Sequence, residues 1–295
     1  MDFITVNAYA KINPALDVTG RRSDGYHEVR MLLQQVELHD VIRMKRSDQP
    51  GVHLTIAADA ALPGPGDLPT DERNIACRAA QLLIDACDIA PGVEILLEKH
   101  IPVAAGLAGG STDAAAVLKG MNTLFSLGLS QERLREYGLT LGADVPFCVM
   151  GGGALAEGIG EILTPLPPMP PCRILLVKPP AGVSTGTVYR MLDDLRDPPH
   201  PDIDSVLQAY AAGDLTALCA SMGNILETVT FEMLPRLRFI GALLIMTGAA
   251  GAMMSGSGPT MFALYADEAA AKKAYEVMQG ACPDCEVILT APRAS

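Results

Sequence analysis

The sequence predicts an α+β protein of two domains, and three features carry that expectation. Strand-like stretches come mostly as hairpins, with helical patterns set between them, and not as one continuous strand–helix–strand series. The chain has 295 residues, near the size at which one core divides into two. Thr164 to Pro171 holds prolines at 165, 167, 168, 170 and 171, which lock φ and withhold hydrogen-bond donors. That run sets the expected boundary, giving domains 1–163 and 164–295.

Phe3 to Tyr9 alternates weakly and reads as a strand. Gly20 and Asp24-Gly25 are turn signals, returning the chain into extended structure near Glu28 and through Val29 to Met44. Val52 to Ile56 is a short alternating strand, and Ala58 to Thr70, rich in proline, glycine and alanine, a surface loop. A helix from about Asp71 turns Ile75, Ala79, Leu82, Leu83 and Ala86 inward and ends at Pro91-Gly92. Val93 to Glu98 is a strand. A long helix is expected to start at Ser111, Thr112 and Asp113, with Val117, Met121 and Leu124 on one face and Leu118 and Phe125 beside them. Gln131 to Tyr137 is a shorter helix, and the apolar, glycine-rich chain up to Gly158 suggests buried strands or close backbone approach. Beyond the prolines come a strand at Arg173 to Lys178, a turn into helix at Val183 to Leu192, and helices over much of Ile203 to Phe239. Met253 to Ala266 carries a glycine turn, Asp267 opens a helix to about Met278, and Glu286 to Thr290 is a last strand.

Composition narrows the function classes. A formal charge of −12 leaves no concentrated basic surface, so nucleic acid is not expected as a partner. Phe239 to Ala266 is uncharged and longer than a membrane span, but Thr247, Gly248, Gly251 and Ser255 to Pro259 interrupt it, so no membrane partner is expected either. The seven cysteines are dispersed and odd in number, which fits a reducing compartment, and Cys282 and Cys285 form a C-x2-C with no second half. With no secretion-type segment, the expected location is cytoplasmic. Monomer and weak homodimer both stay open.

The stretch Ile101 to Asp113, I-P-V-A-A-G-L-A-G-G-S-T-D, is small, uncharged until its end, and punctuated by glycine between a strand and a helix. Free N–H groups at a helix N-terminus beside such a turn suit phosphate oxygens. An ordinary loop with Asp113 as a cap is the alternative. Neither G-x-x-x-x-G-K-[ST] nor G-x-G-x-x-G is met, so a nucleotide here would be held by a different loop.

Four separated stretches then agree with one family. They are A-K-I-N-P-A-L-D-V-T-G-R-R-S-D-G-Y-H-E (Ala10 to Glu28), P-V-A-A-G-L-A-G-G-S-T-D-A-A (Pro102 to Ala115), G-A-D-V-P-F (Gly142 to Phe147) and M-S-G-S-G-P-T-M-F (Met254 to Phe262). In this order the chain resembles the galactokinase, homoserine kinase, mevalonate kinase and phosphomevalonate kinase superfamily. Tyr26-His27 resembles its branch acting on a diphosphocytidyl-linked methylerythritol. The resemblance implies a ribosomal-protein-S5-domain-2-like N-terminal domain and a ferredoxin-like C-terminal one, ATP as phosphoryl donor with Mg2+, and a small cytidine diphosphate-linked substrate phosphorylated on its 2-hydroxyl. Homoserine or mevalonate kinase chemistry, and a nucleotide-binding regulator without turnover, are the rival readings.

The same resemblance assigns residues. Pro102, Val103, Ala104, Ala105, Gly106, Leu107, Ala108, Gly109, Gly110, Ser111 and Thr112 would hold the ATP phosphates, with Ser111 or Thr112 on a phosphate or the metal. Asp113 would act through water or cap the helix. Asp144, on its residues alone a turn or cap aspartate, would be the catalytic base. Lys11 reads unaided as a surface or snorkelling lysine; by resemblance it orients Asp144 and stabilises the developing alkoxide. Asn13, Tyr26 and His27 would read the substrate, and Tyr189 is either an aromatic lid over cytosine or a core tyrosine. Gly256, Ser257 and Gly258 would form a supporting turn. The family's loop usually has glycine where Ala104 and Ala108 stand, a change costly at left-handed positions and tolerable elsewhere.

Overall fold

The computed structural model describes residues 3–57 and 68–294. It is α+β, as the sequence predicts, and most of the expected loop at Ala58 to Thr70 lies outside the described residues. Two compact units form, and they interleave in sequence. One comprises Met1–Ala10, Leu38–Val103 and Ala108–Gly151; the other comprises Lys11–Glu37, Ala104–Leu107 and Gly152–Ser295. A single division at residue 164 therefore marks consecutive chain and not the compact units. Two long neighbouring strands, β1 (Phe3–Arg21) and β2 (His27–Ser47), each run from one unit into the other, which is why the units interleave.

In the first unit, β3 (Val52–Ile56) pairs parallel with β4 (Gly92–Glu98), which pairs antiparallel with β2 from Val41↔Glu98 to Ser47↔Gly92. Helices α1 (Ile75–Ala86), α2 (Gly109–Leu124), α3 (Gln131–Leu141) and α4 (Val145–Met150) pack on one another. Val117, Leu118, Met121 and Leu124 of α2 are buried as their spacing predicts, contributing about 1.5–3 kcal/mol each. Ala114, Ala115, Ala116 and Gly120 let α2 lie close; a Cβ on Gly120 would fall 1.8 Å from Met44 Cε.

In the second unit, the early part of β2 pairs antiparallel with β5 (Gly153–Glu157), and β5 with β6 (Ile162–Pro165). A separate antiparallel sheet is built from β7 (Arg173–Lys178), β9 (Gly251–Met254), β10 (Met261–Tyr265) and β11 (Glu286–Thr290), in the order β11-β7-β10-β9. Between β7 and β9 come α5 (Thr185–Asp193), α6 (Ile203–Ala212), α7 (Leu215–Ser221), the two-residue strand β8 (Gly223–Asn224), α8 (Glu227–Met233) and α9 (Arg236–Met246). With α10 (Glu268–Ala281) before β11, the four sheet strands take the ferredoxin-like order the resemblance implied. The uncharged Phe239–Ala266 stretch resolves into the end of α9, β9, the glycine turn and β10; among the described residues no helix is long and apolar enough to cross a membrane.

Four local expectations change. The first strand passes Tyr9 and continues to Arg21, because β1 finds partners in β2 and, at Ala15 and Leu16, in β8. Lys11 and Asn13 are thus strand residues. Helix α1 opens at Ile75, where Asn74 Oδ1 accepts from the Ala76 N–H, and not at Asp71. Helix α2 opens at Gly109, ahead of Ser111. Gly142 to Phe147 leads into α4, too short for periodicity to announce, with Pro146 in its first turn.

Candidate active site

The loop between β4 and α2 turns through three left-handed residues, Ala104 (φ 51°), Gly106 (φ 75°) and Ala108 (φ 57°). Ala108 occupies the N-cap position of α2 with no side-chain cap, and the first helical turn contains no acid. The first helical bond is from the Thr112 N–H to Ala108 O, at 2.9 Å. The N–H groups of Gly109, Gly110 and Ser111 precede it, so the positive pole of α2 is left for an anion. Thr112 faces inward: its hydroxyl donates to Tyr9 O at 2.7 Å and is buried. The expected Ser111-or-Thr112 contact therefore narrows to Ser111, the more exposed of the two.

Asp113 neither caps the helix nor reaches water. It is 3% exposed and accepts from Lys99 Nζ at 2.8 Å. Lys99 also donates to Asp40, whose other oxygen accepts from the N–H groups of His100 (2.6 Å) and Ile101 (2.8 Å). Burial, aided by nearby Asp40 against the Lys99 charge, pushes the Asp113 carboxyl well above the usual carboxylate range. Sequence reasoning missed Lys99 and Asp40: Lys99 stands between Glu98 and His100 and Asp40 between His39 and Val41, and nothing local marks their pairing.

Both alanines at the family's glycine positions have positive φ, where an L-residue costs about 1–2 kcal/mol. Ala104→Gly and Ala108→Gly are each expected to stabilise the protein by about 0.5–1 kcal/mol after the added entropy of an unfolded glycine. A thermal melt checks this; an unchanged or lower Tm for both would contradict the strain.

In the second unit Lys11 is 5% exposed and Asn13 fully buried. The unaided reading of Lys11 as a surface lysine is thus overturned, because buried acceptors, one of them 95 positions away, receive its charge. Lys11 Nζ donates to Asn13 Oδ1 at 2.7 Å and to Gly106 O at 3.3 Å; Ser255 Oγ donates to the same carbonyl at 3.0 Å. Gly256 (φ 58°) closes over this group: a Cβ there would lie 3.3 Å from Lys11 Nζ and 3.5 Å from Asn13 Oδ1. The expected glycine turn is fixed from outside, by Asn224 Nδ2 donating to Met254 O (3.0 Å) and Gly256 O (2.8 Å), and by a 2.8 Å hydroxyl pair between Thr185 and Ser257.

Tyr26 is 57% exposed. Next to it in sequence, the His27 ring meets the Tyr189 ring at 4.9 Å between centroids, tilted 46°. Tyr189 is only partly buried, so the core alternative does not hold. His27 Nε2 bonds Asp193 Oδ1 at 2.8 Å, and Asp193 Oδ2 pairs with Arg21 at 3.2 Å. Asp144, in the first unit, holds the N-cap position of α4 at φ −79°, ψ −16°, partly exposed, with no side-chain capping bond. The cap reading of Asp144 therefore falls away.

Glu227 Oε1 accepts the Met254 N–H at 2.8 Å, just before the glycine turn. Burial pushes its carboxyl up to about 7, partly offset by that N–H and by Arg238. Between its ordinary 4.5 and about 7 the folded protein holds a proton that the unfolded chain has released. Its contribution is thus fully present below about pH 4.5 and lost as pH rises through about 7. Glu227→Gln keeps the acceptor and is expected to gain about 1–3 kcal/mol near pH 8 and nothing near pH 4. Guanidinium unfolding of both proteins at the two pH values checks this.

Family models for the GHMP kinases N terminal domain and the GHMP kinases C terminal match residues 74–152 and 206–284. Fold, loop and turn thus define a GHMP-type, ATP-dependent small-molecule kinase. The chain is 48% identical over 93% of its length to 4-diphosphocytidyl-2-C-methyl-D-erythritol kinase of Lachnoclostridium phytofermentans, covering 92% of that protein. To the enzyme of the same name from Exiguobacterium sibiricum it is 47% identical over 97% of each chain. A solved 4-(cytidine 5'-diphospho)-2C-methyl-D-erythritol kinase superposes with a TM-score of 0.82 at 33% identity, covering 99% of this chain and 100% of that one. The chain belongs to the 4-diphosphocytidyl-2-C-methyl-D-erythritol kinase family. A homoserine kinase from Cytophaga hutchinsonii shares the fold at TM-score 0.78 and 22% identity, over 100% of this chain and 95% of that one.

Proposed function

We propose that this kinase transfers the γ-phosphoryl group of ATP to the 2-hydroxyl of 4-diphosphocytidyl-2-C-methyl-D-erythritol, forming the 2-phosphate and ADP. The observation that carries the substrate assignment is the His27–Tyr189 ring pair beside exposed Tyr26. A flat π surface and a ring nitrogen suit a pyrimidine. Asp193 holds His27 by one nitrogen, which orients the ring.

Asp144 accepts the proton of the attacking hydroxyl; the oxygen bonds to the γ-phosphorus as the bond to the ADP oxygen breaks. Lys11 supplies positive charge for the developing alkoxide, and Asn13, a substrate reader in this proposal, holds its ammonium. The N–H groups at the start of α2 receive the phosphates, with the loop from Pro102 to Thr112 forming the cradle. Among the described residues no group of three or more His, Cys, Asp or Glu side chains could hold a metal ion. Mg2+ in such a site would be held chiefly by phosphate oxygens and water with one or two protein oxygens. Ser111 is the protein oxygen offered, and Mg2+ would neutralise phosphate charge. A cytoplasmic enzyme is the inferred setting, supported by seven cysteines that are all thiols.

The test is phosphorus-detected product formation from Mg-ATP with this substrate, beside homoserine, mevalonate and galactose. A new monoester on the erythritol moiety alone is expected. Turnover only with another acceptor would overturn the substrate, and nucleotide binding without any turnover would favour the regulator.

A further inference from the structure

Lys99 ends the chain's approach to the phosphate loop, and Asp113 lies in the helix that leaves it. Both are buried, at 4% and 3% exposure, and Asp40 on β2 is at 0%. One ammonium bridges the two carboxylates, while Asp40 also takes the His100 and Ile101 N–H groups at the loop's first residues. The ammonium lies directly beneath the first residue of α2: a Cβ on Gly109 would sit 3.4 Å from Lys99 Nζ and 3.2 Å from Ile101 Cγ2. We propose that Asp40, Lys99 and Asp113 form a clasp across the base of the phosphate loop, with Lys99 a positioning residue that sets where the Gly109, Gly110 and Ser111 N–H groups stand for ATP.

Two carboxylates and one ammonium, out of water, would leave an uncompensated negative charge behind the phosphate cradle. A proton on Asp113 makes the clasp neutral, in keeping with the upward displacement of that carboxyl by burial and by Asp40. Asp113 Oδ1 is buried with no hydrogen-bond partner, which a full carboxylate charge would tolerate poorly. Lys99 stays charged: burial lowers its pKa, and the Asp40 carboxylate raises it again. The clasp thus joins both ends of the loop without repelling the phosphates it positions.

The clasp rests on the assignment of ATP phosphates to the start of α2, and the experiment separates the two. Binding of Mg-ADP by calorimetry and the KM values for ATP and acceptor are measured for the parent, Lys99→Met, Asp113→Ala and Asp113→Asn. Asp113→Ala cuts the tie to the helix yet leaves the neutral Lys99–Asp40 pair, so it tests the clasp even where Lys99→Met does not fold. Both Lys99→Met and Asp113→Ala are expected to weaken ADP binding and raise the ATP KM about tenfold, with the acceptor KM within twofold. Asp113→Asn, which keeps an oxygen for Lys99, is expected to restore most of the affinity lost in Asp113→Ala. A folded Asp113→Ala with parental ADP affinity, or equal changes in both KM values, would overturn the clasp. A parent protein that binds no nucleotide would instead overturn the ATP assignment.

Discussion

Asp144→Asn lowers kcat by about 10²–10⁴ while the ATP KM stays within a few-fold. The substitution keeps the shape of the side chain and removes its capacity to take a proton. Asp144 sits at the N-cap position of α4 without a side-chain capping bond, so the change removes no helix cap. Lys11→Ala, measured beside it, lowers kcat as well, but by another route and with a structural cost. It leaves Asn13 Oδ1 and Gly106 O without the buried donor they share, a loss of about 1–3 kcal/mol. Steady-state kinetics with both substrates, together with a denaturant titration, separates the two effects. An Asp144→Asn enzyme with near-parental kcat would remove Asp144 from the chemistry.

Gly106→Ala is expected to lower stability by about 3 kcal/mol or more and to abolish most activity. The added methyl would fall 2.2 Å from Ser255 O and 3.0 Å from Gly258 O, both backbone atoms that cannot rotate away. The residue also stands at φ 75°, where an L side chain is strained before it meets any neighbour. Relief requires the loop and the glycine turn to part. That would draw the Gly106 carbonyl away from Lys11 Nζ and Ser255 Oγ, which both donate to it. Guanidinium unfolding and turnover of the purified variant test this. A change below about 0.5 kcal/mol, within the range of an ordinary surface substitution, would show that the approach is looser than the geometry requires.

Much of the fold was legible. Val52–Ile56 and Glu286–Thr290 are the strands the sequence marked, and Val117, Met121 and Leu124 of α2 are buried as their spacing required, although Thr112 to Leu118 are buried on every face. Period-2 and period-3.6 patterns are local records of which side chains leave water, and they survive in the sequence. Less legible were the ends and the short pieces. Helix α4 has six residues, fewer than two turns, so no period can show. The continuation of β1 past Tyr9 depends on its pairing with β2 and, at Ala15 and Leu16, with β8, more than 200 residues away.

The site divides in the same way. By itself the sequence determined the motifs, the kinase family they resemble, and the glycine turn, because each is a run of neighbouring residues whose chemistry is stated by their order. Only the tertiary structure decided that Lys11 is a buried cation and not a surface one, since its acceptor Gly106 is 95 positions distant. It alone decided that Ala104 and Ala108 carry positive φ, and that Asp113 turns inward to Lys99 and Asp40. Burial and partnership of a polar group are set by chain segments remote in sequence, and no local pattern encodes them.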